Sequence, residues 1–496
     1  MSKILLSKAM TLLSLALLAS ALHAQTSDAT ATAQEPGVSK VRIVRLSTVK
    51  GSVEIERSRE RGFERAIANL PVVERNQLET NTGIAEVEFE DNSSLRLAPN
   101  SKVEFPELGR GANGATISAV HVTEGTVYVS MVKAPNSKAP ANEFALIFGD
   151  RKVTLNPASH VRLDMEDVEA KLAVLDGSVR VDSPDGAVML GKKKTATFAM
   201  IGHEQPRIAD KVEQSQFDGW DRDSASYHAN VATLMGTGSH FAGMPYSYGV
   251  SDLAYYGNFM DAGSCGMGMM WRPYFASAAW DPFANGTWAY YQGAGYSWVS
   301  PYPWAWTPFH SGSWGYCPGM GWGWTPGGSW YGVNNVAAIS PATGKAPTGV
   351  GGPRLPVHPP APHEPTMMAV ALKPVTPSMV KSLTSFEFHN DSAGLGVPRG
   401  ELGKLSKFSR MTESRGVAST PIYVSVPQMG HFNSFSTSSG SLGFSIHRGS
   451  APTYSSSSSS SSWSSLGGGS SSSSMSSRST SVSAPSAPSS GGGVRK

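Results

Sequence analysis

The residues best suited to covalent chemistry in this 496-residue chain are Cys265 and Cys317, its only cysteines. They lie 52 positions apart among Gly, Met and Trp. In an oxidising compartment a disulfide is the expected pairing, and closing such a loop contributes about 3–4 kcal/mol by the chain-entropy model. Two free thiols packed as small apolar groups are the alternative.

A second candidate is the acidic row Glu86, Glu88 and Glu90, which alternates with Ala85, Val87 and Phe89. Such a row could hold cations, but period-2 alternation is the pattern of a strand with one wet face. The expectation is a solvated sheet face. The histidines are scattered, and His358 and His363 fall in a Pro-rich stretch that cannot hold ligand geometry. No Gly-x-Ser-x-Gly elbow, Walker loop, His-Glu-x-x-His or Cys-x-x-Cys occurs. No catalytic residues, metal or cofactor are therefore expected, and the chain reads as a non-enzyme.

The third candidate is aromatic. Ten of the 12 Trp lie between 271 and 330, and a unit recurs: Trp280, Pro282, Phe283, Gly286, Trp288, then Trp306, Pro308, Phe309, Gly312, Trp314. A shortened copy runs through Trp324, Pro326 and Trp330. Between Ala225 and Ser340 the only charged residues are Asp252, Asp261, Arg272 and Asp281. Exposed Trp faces stack on apolar partners such as sugar rings, which makes Trp280, Trp288, Trp306 and Trp314 candidate stacking residues for envelope polysaccharide. The competing reading is that the rings pack on Pro, Gly and each other, because small hairpins have no other core.

The elements that must position these groups are β. After the acidic row, Asp91 and Asn92 supply a turn and Leu95, Arg96 and Leu97 return as the partner strand. The stretch from Leu95 to Phe105 aligns without a gap onto Val153 to Leu163, sharing Pro99 with Pro157 and Ser101 with Ser159. A Gly-Ser/Thr-Val element occurs at Gly51, Gly125 and Gly177. Repetition of strand–turn–strand units predicts a β-sandwich or jelly-roll-like roll, with a short β-solenoid as the alternative. In the aromatic segment, Pro followed by Gly between Trp residues predicts a small stack of hairpins, with Trp flanking each turn.

The ends set the compartment. Lys3 and Lys8, the apolar stretch from Ala9 to Leu22 and the small residues Ala19 and Ala21 predict a cleaved signal peptide over 1–24. No later apolar run reaches about 18 residues, so no transmembrane segment is expected. Net charge is +3, falling to about +1 without the two lysines, and nucleic acid is not expected as a partner. The expected parts are a β domain at 40–200, a connector at 201–240, a Trp/Gly/Pro-rich module at 241–331 and a Pro-rich linker at 341–377. A weakly ordered region at 380–430 and a disordered Ser/Gly-rich tail at 435–496 follow.

Ala66, Leu70, Leu78, Thr80, Gly83, Ala85, Val87, Asp91, Asn92, Ser93, Leu95, Leu97, Pro99 and Ser101 resemble the FecR domain, over about residues 40–200. That resemblance implies an all-β periplasmic sensory domain of the kind known from iron-citrate signalling. Arg75 and Asn76 stand where the family usually has Gly-Asp, and Asn92 replaces its usual Gly. Signalling members place a cytoplasmic segment and a membrane helix ahead of the domain, whereas here a removable signal is expected. The segment from Trp298 to Trp314 resembles an uncharacterised Trp/Gly/Pro-rich domain that follows FecR domains in bacterial surface proteins. The resulting expectation is an exported envelope or surface protein, structural or adhesive, with polysaccharide or a surface protein as partner. A FecR-like periplasmic ligand-sensing module is the alternative, and a hydrolase of envelope polymers is third.

Overall fold

The computed structural model describes residues 41–57, 61–133, 142–184, 186–202, 204–274, 276–335, 353–360, 391–395 and 399, and the backbone of Met367–Ala369. The expected signal peptide, the Ser-rich tail and most of the linker and of region 380–430 lie outside the described residues.

Two sheets face each other across one apolar core, and the fold class is all-β. The first sheet runs Pro71–Val72, Val44–Lys50, Ile84–Glu88, Ser94–Leu97, the end of Thr116–Ser130, His160–Met165, Glu169–Asp176, Thr195–Ala199 and Arg207–Ala209. The second runs Glu64–Arg65, Val53–Glu56, Gln77–Thr80, Ser101–Arg110, the start of Thr116–Ser130, Glu143–Phe148, Arg151–Leu155, Ser178–Ser183 and Gly186–Gly191. Pairing is antiparallel except between Thr116–Ser130 and Glu143–Phe148. Alternation decides the facing: Val44, Leu46, Ala85, Val87, Leu95 and Leu97 point into the core with Ile55, Leu78, Val103 and Val122.

The sequence repeats are the corners of this sandwich. Gly51, Gly125 and Gly177 all have positive φ and mark places where the chain leaves one sheet for the other. The Pro-x-Ser copies are the complementary corners, with Asn100 at φ 56° and Ala158 at φ 63°. A Cβ on Gly125 would lie 2.2 Å from the Asn100 carbonyl, and one on Gly177 would lie 2.9 Å from Ser159 Cα. The serines bond across each contact: Ser101 Oγ donates to the Thr126 carbonyl at 3.0 Å, and Ser159 Oγ to the Ser178 carbonyl at 3.0 Å. Gly125 and Gly177 thus each close against the Pro-x-Ser corner of their own repeat.

Residues 218–234, in the expected connector, form helices Asp218–His228 and Val231–Leu234. Beyond them come helix Val250–Tyr256 and a sheet of Gly257–Asp261, Met269–Pro273, Gly321–Trp330 and Ser311–Cys317. A second small sheet pairs Gly295–Val299, Thr287–Tyr291 and Met367–Ala369. Hairpins are present, but they fall between the Trp-Pro-Phe units rather than on them. The second unit opens as the short helix Trp306–His310, where Pro308 is tolerated because first-turn N–H groups need no helical partner. The third copy lies inside strand Gly321–Trp330.

Tryptophan rings make the core of this second domain. Trp304 stacks on Tyr302 at 5.1 Å and 7°, and meets Trp271 at 4.9 Å and Trp280 at 5.9 Å. Glycines let these rings lie against the backbone: a Cβ on Gly286 would meet the Trp298 ring at 2.2 Å, and one on Gly257 the Trp271 ring at 2.2 Å. The apolar core of the sandwich runs on into this domain through Tyr248, Tyr291, Val299, Trp306 and Val333.

Candidate functional site

The polar face of the first sheet is not wet. Glu86 and Glu88 are 1% and 0% exposed, and Glu90 is also buried. Alternation revealed a polar face but not its cover, which arrives from helices Asp218–His228 and Val250–Tyr256, far along the chain. Desolvation of a carboxylate costs several kcal/mol unless a partner is supplied. Here the neighbouring strands supply guanidiniums in register: Glu86 lies opposite Arg96 and Glu88 opposite Arg45.

The result is a junction of charges joining the two domains. Arg96 Nε meets Glu86 Oε2 at 2.8 Å, while its Nη1 reaches Asp221 on the first helix at 2.8 Å. Arg45 Nη1 meets Glu88 Oε2 at 3.0 Å, and its Nη2 reaches Asp252 on helix Val250–Tyr256 at 2.7 Å. Arg45 also donates to Asn69 Oδ1 and to the Pro303 carbonyl, and Asn69 Nδ2 donates to the Tyr302 carbonyl at 2.7 Å. His228 Nε2 stands 3.1 Å from Glu86 Oε1. Arg399 places Nη1 2.7 Å from Glu86 Oε1 and Nη2 2.9 Å from Asp252 Oδ2. At the edge, Arg42 grips Glu90 through two bonds of 2.8 Å. Burial alone would raise the Glu86 carboxyl, but His228, Arg399 and Arg96 hold it well below the usual carboxylate range. Asp252 is likewise lowered against its burial by Arg399 and Arg45.

Glu86, Glu88 and His228 bring three ligand-type atoms within 4.8 Å of one another. Each carboxylate is already engaged by guanidiniums, so the arrangement reads as ion pairing that fastens two domains. Of these residues only Glu86, Glu88 and Glu90 were weighed from the sequence, as a cation-holding row set aside for a solvated face, although the Glu–Arg register was readable from Glu86 and Arg96 in one hairpin.

The sequence-predicted residues have other roles. Cys265 and Cys317 are joined by a disulfide with Cα atoms 5.6 Å apart, packed with Ala262 and Met270. Trp280, Trp288, Trp306 and Trp314 are 4%, 2%, 1% and 0% exposed. The stacking role expected for them is therefore corrected: their faces are covered by other rings, and an outside polymer cannot reach them. Trp314 Nε1 donates to the Pro308 carbonyl at 3.0 Å and Trp280 Nε1 to Tyr302 OH at 3.2 Å, tying the rings inward. His310 lies between Trp306 and Trp330, with Nδ1 2.8 Å from the Gly332 carbonyl, and burial lowers it to about 3.

Among the described residues no helix is long and apolar enough to cross a membrane. No curated protein matches the chain in sequence. Two crystal structures of a proposed anti-sigma factor from Parabacteroides distasonis resemble it, each at 15% identity and TM-score 0.23. One match covers 27% of this chain and 59% of that protein, so the chain spans less than two thirds of it; the other covers 34% and 68%. At that TM-score neither carries an argument about this chain. Two family models match, "FecR protein" at residues 76–180 and "Family of unknown function (DUF6600)" at residues 250–348. The chain thus carries a FecR domain followed by a DUF6600 domain; of the ionic junction, Glu86, Glu88, Glu90 and Arg96 fall within the first match and Asp252 within the second.

Proposed function

We propose that this chain is a non-catalytic sensing module of the FecR type, exported to the envelope, in which the DUF6600 domain moves as one piece with the FecR sandwich. The observation that carries this reading is the FecR domain itself, joined to the next domain through buried ion pairs such as Arg45–Asp252. Ligand or partner engagement at either domain would be felt by the other, because neither can shift without separating buried charges. The burial of Trp280, Trp288, Trp306 and Trp314 removes the basis for polymer binding by those rings.

The test is transcriptional. Deleting the gene should change a specific set of transcripts, and a wild-type copy should restore them. An unchanged profile, with loss of the protein verified, would overturn the sensing reading. A structural envelope role would then stand, favoured by the aromatic core and the Cys265–Cys317 disulfide.

A further inference from the structure

We propose that the cleft between Glu86, Glu88 and Asp252 is a guanidinium-binding pocket, and that Arg399 of this same chain is its tethered occupant. Its walls come from separate elements. Thr48 lies on strand Val44–Lys50, Glu86 and Glu88 on Ile84–Glu88, Tyr227 on helix Asp218–His228, and Asp252 on helix Val250–Tyr256.

The fit is that of a planar fork. Arg399 Nε donates to Asp252 Oδ1 at 3.0 Å and Nη2 to Asp252 Oδ2 at 2.9 Å, a pair of parallel bonds that an ammonium cannot make. Nη1 donates to Glu86 Oε1 at 2.7 Å and to Thr48 Oγ1 at 3.0 Å, and Nη2 reaches Glu88 Oε1 at 3.4 Å. The Tyr227 ring lies below, with Arg399 Cζ 5.0 Å from its centroid. Tyr227 OH also donates to Asp252 Oδ1 at 2.8 Å, which fixes both the ring and the carboxylate.

The pocket walls have ties that do not involve their occupant. Arg45 holds Glu88 and Asp252, Arg96 holds Glu86, and the Gly249 N–H donates to Glu88 Oε2 at 2.9 Å. Arg399, by contrast, follows the residues matched to either domain. The nearby stretch Asp391–Leu395 is anchored to the aromatic domain, where Trp304 Nε1 donates to the Ala393 carbonyl at 2.6 Å and Ser277 Oγ to Asp391 Oδ2 at 3.0 Å. Of the four carboxylates Glu86, Glu88, Asp221 and Asp252, Arg45 and Arg96 each serve two. Taking Arg399 away leaves these four carboxylates to two guanidiniums and the imidazoles of His228 and His160, in a cleft shaped for a guanidinium. Arg399 is itself 19% exposed at the side chain, so the pocket has a mouth through which such a group can enter. The ligand class is therefore an arginine side chain, supplied in cis here and open to exchange with an arginine on another protein.

The test is chemical rescue of the full-length Arg399→Ala protein. Methylguanidinium should raise its unfolding temperature by about 2–4 °C at a concentration that leaves wild type unchanged. Methylammonium at equal ionic strength should not. An equal response to both cations, or an equal response of wild type, would overturn the proposal. A larger shift with manganese or zinc chloride would do the same, making Glu86, Glu88 and His228 a metal site. Should Arg399→Ala fail to fold, Arg399→Lys decides. It keeps the charge without the fork, and amide exchange in helix Val250–Tyr256 should quicken about tenfold. Exchange at the wild-type rate would refute a guanidinium-specific pocket.

Discussion

Arg45 of the FecR sandwich and Asp252 of the DUF6600 domain meet at 2.7 Å with both side chains sealed from solvent. The same guanidinium holds Glu88 at 3.0 Å, so one side chain answers two buried carboxylates on different domains. Arg45→Ala takes one guanidinium from each, leaving Asp252 to Arg399 and Glu88 to Arg399 and His228, and the expected loss is at the lower end of about 3–5 kcal/mol of unfolding free energy. Urea unfolding of the full-length protein measures it. A loss below about 1 kcal/mol would mean that the junction is hydrated and bears little of the fold.

Gly125 should tolerate no side chain. Its φ of 83° is strained for alanine, and a Cβ would lie 2.2 Å from the Asn100 carbonyl. Gly125→Ala should cost about 3–5 kcal/mol, summing left-handed strain and overpacking. Gly114 has the same φ with nothing near its absent Cβ, so Gly114→Ala should cost only about 1–2 kcal/mol. Equal losses at the two positions would show that backbone strain alone matters at the repeat corners.

The hairpin around Asp91 and Asn92 was legible because turn chemistry is local: Asn92 has φ 70° and Asp91 Oδ1 accepts the Ser93 N–H at 2.9 Å. The repeated glycines and serines were legible for the same reason. The cover over Glu86 and Glu88 was not, since Asp221, Asp252 and Arg399 come from more than 100 residues away. The Trp pattern located a cluster but not its facing, because a binding face and a hairpin core both require aromatic side chains. The near absence of charge from Ala225 to Ser340 was the better guide to burial.

Arg75 occupies a left-handed position, φ 69°, where the FecR family usually has Gly. Its side chain is largely exposed and makes only a 3.9 Å approach to Glu74. Arg75→Gly relieves backbone strain at the cost of unfolded-state entropy, and a net gain of about 0.5–1 kcal/mol is expected. Thermal unfolding reads the result directly. A destabilised Arg75→Gly protein would show that the arginine earns its place through contacts.

His310 makes the fold sensitive to acid. Its folded-state value of about 3 lies below the ordinary 6.5, so between these pH values the unfolded chain binds the extra proton. Stability therefore falls as pH drops through this window, by up to about 1.4 kcal/mol per pH unit from this group. The depressed Glu86 carboxyl acts at lower pH: its contribution is full above about pH 4.5 and is lost as pH falls further. Chemical unfolding from pH 7 to 5 should show a shallower slope in His310→Gln than in wild type. Identical slopes would mean that His310 is protonated or exposed in the native protein.

The FecR and DUF6600 domains should open as one body. Native-state hydrogen exchange measures this without any variant, by comparing Val87 in the sandwich with Trp324 in the aromatic sheet. Both residues are fully buried on paired strands. Opening free energies should be equal to within about 1 kcal/mol, and both should rise together when stability is raised. A Trp324 amide that opens several kcal/mol more easily than Val87 would contradict it, showing two domains that merely touch.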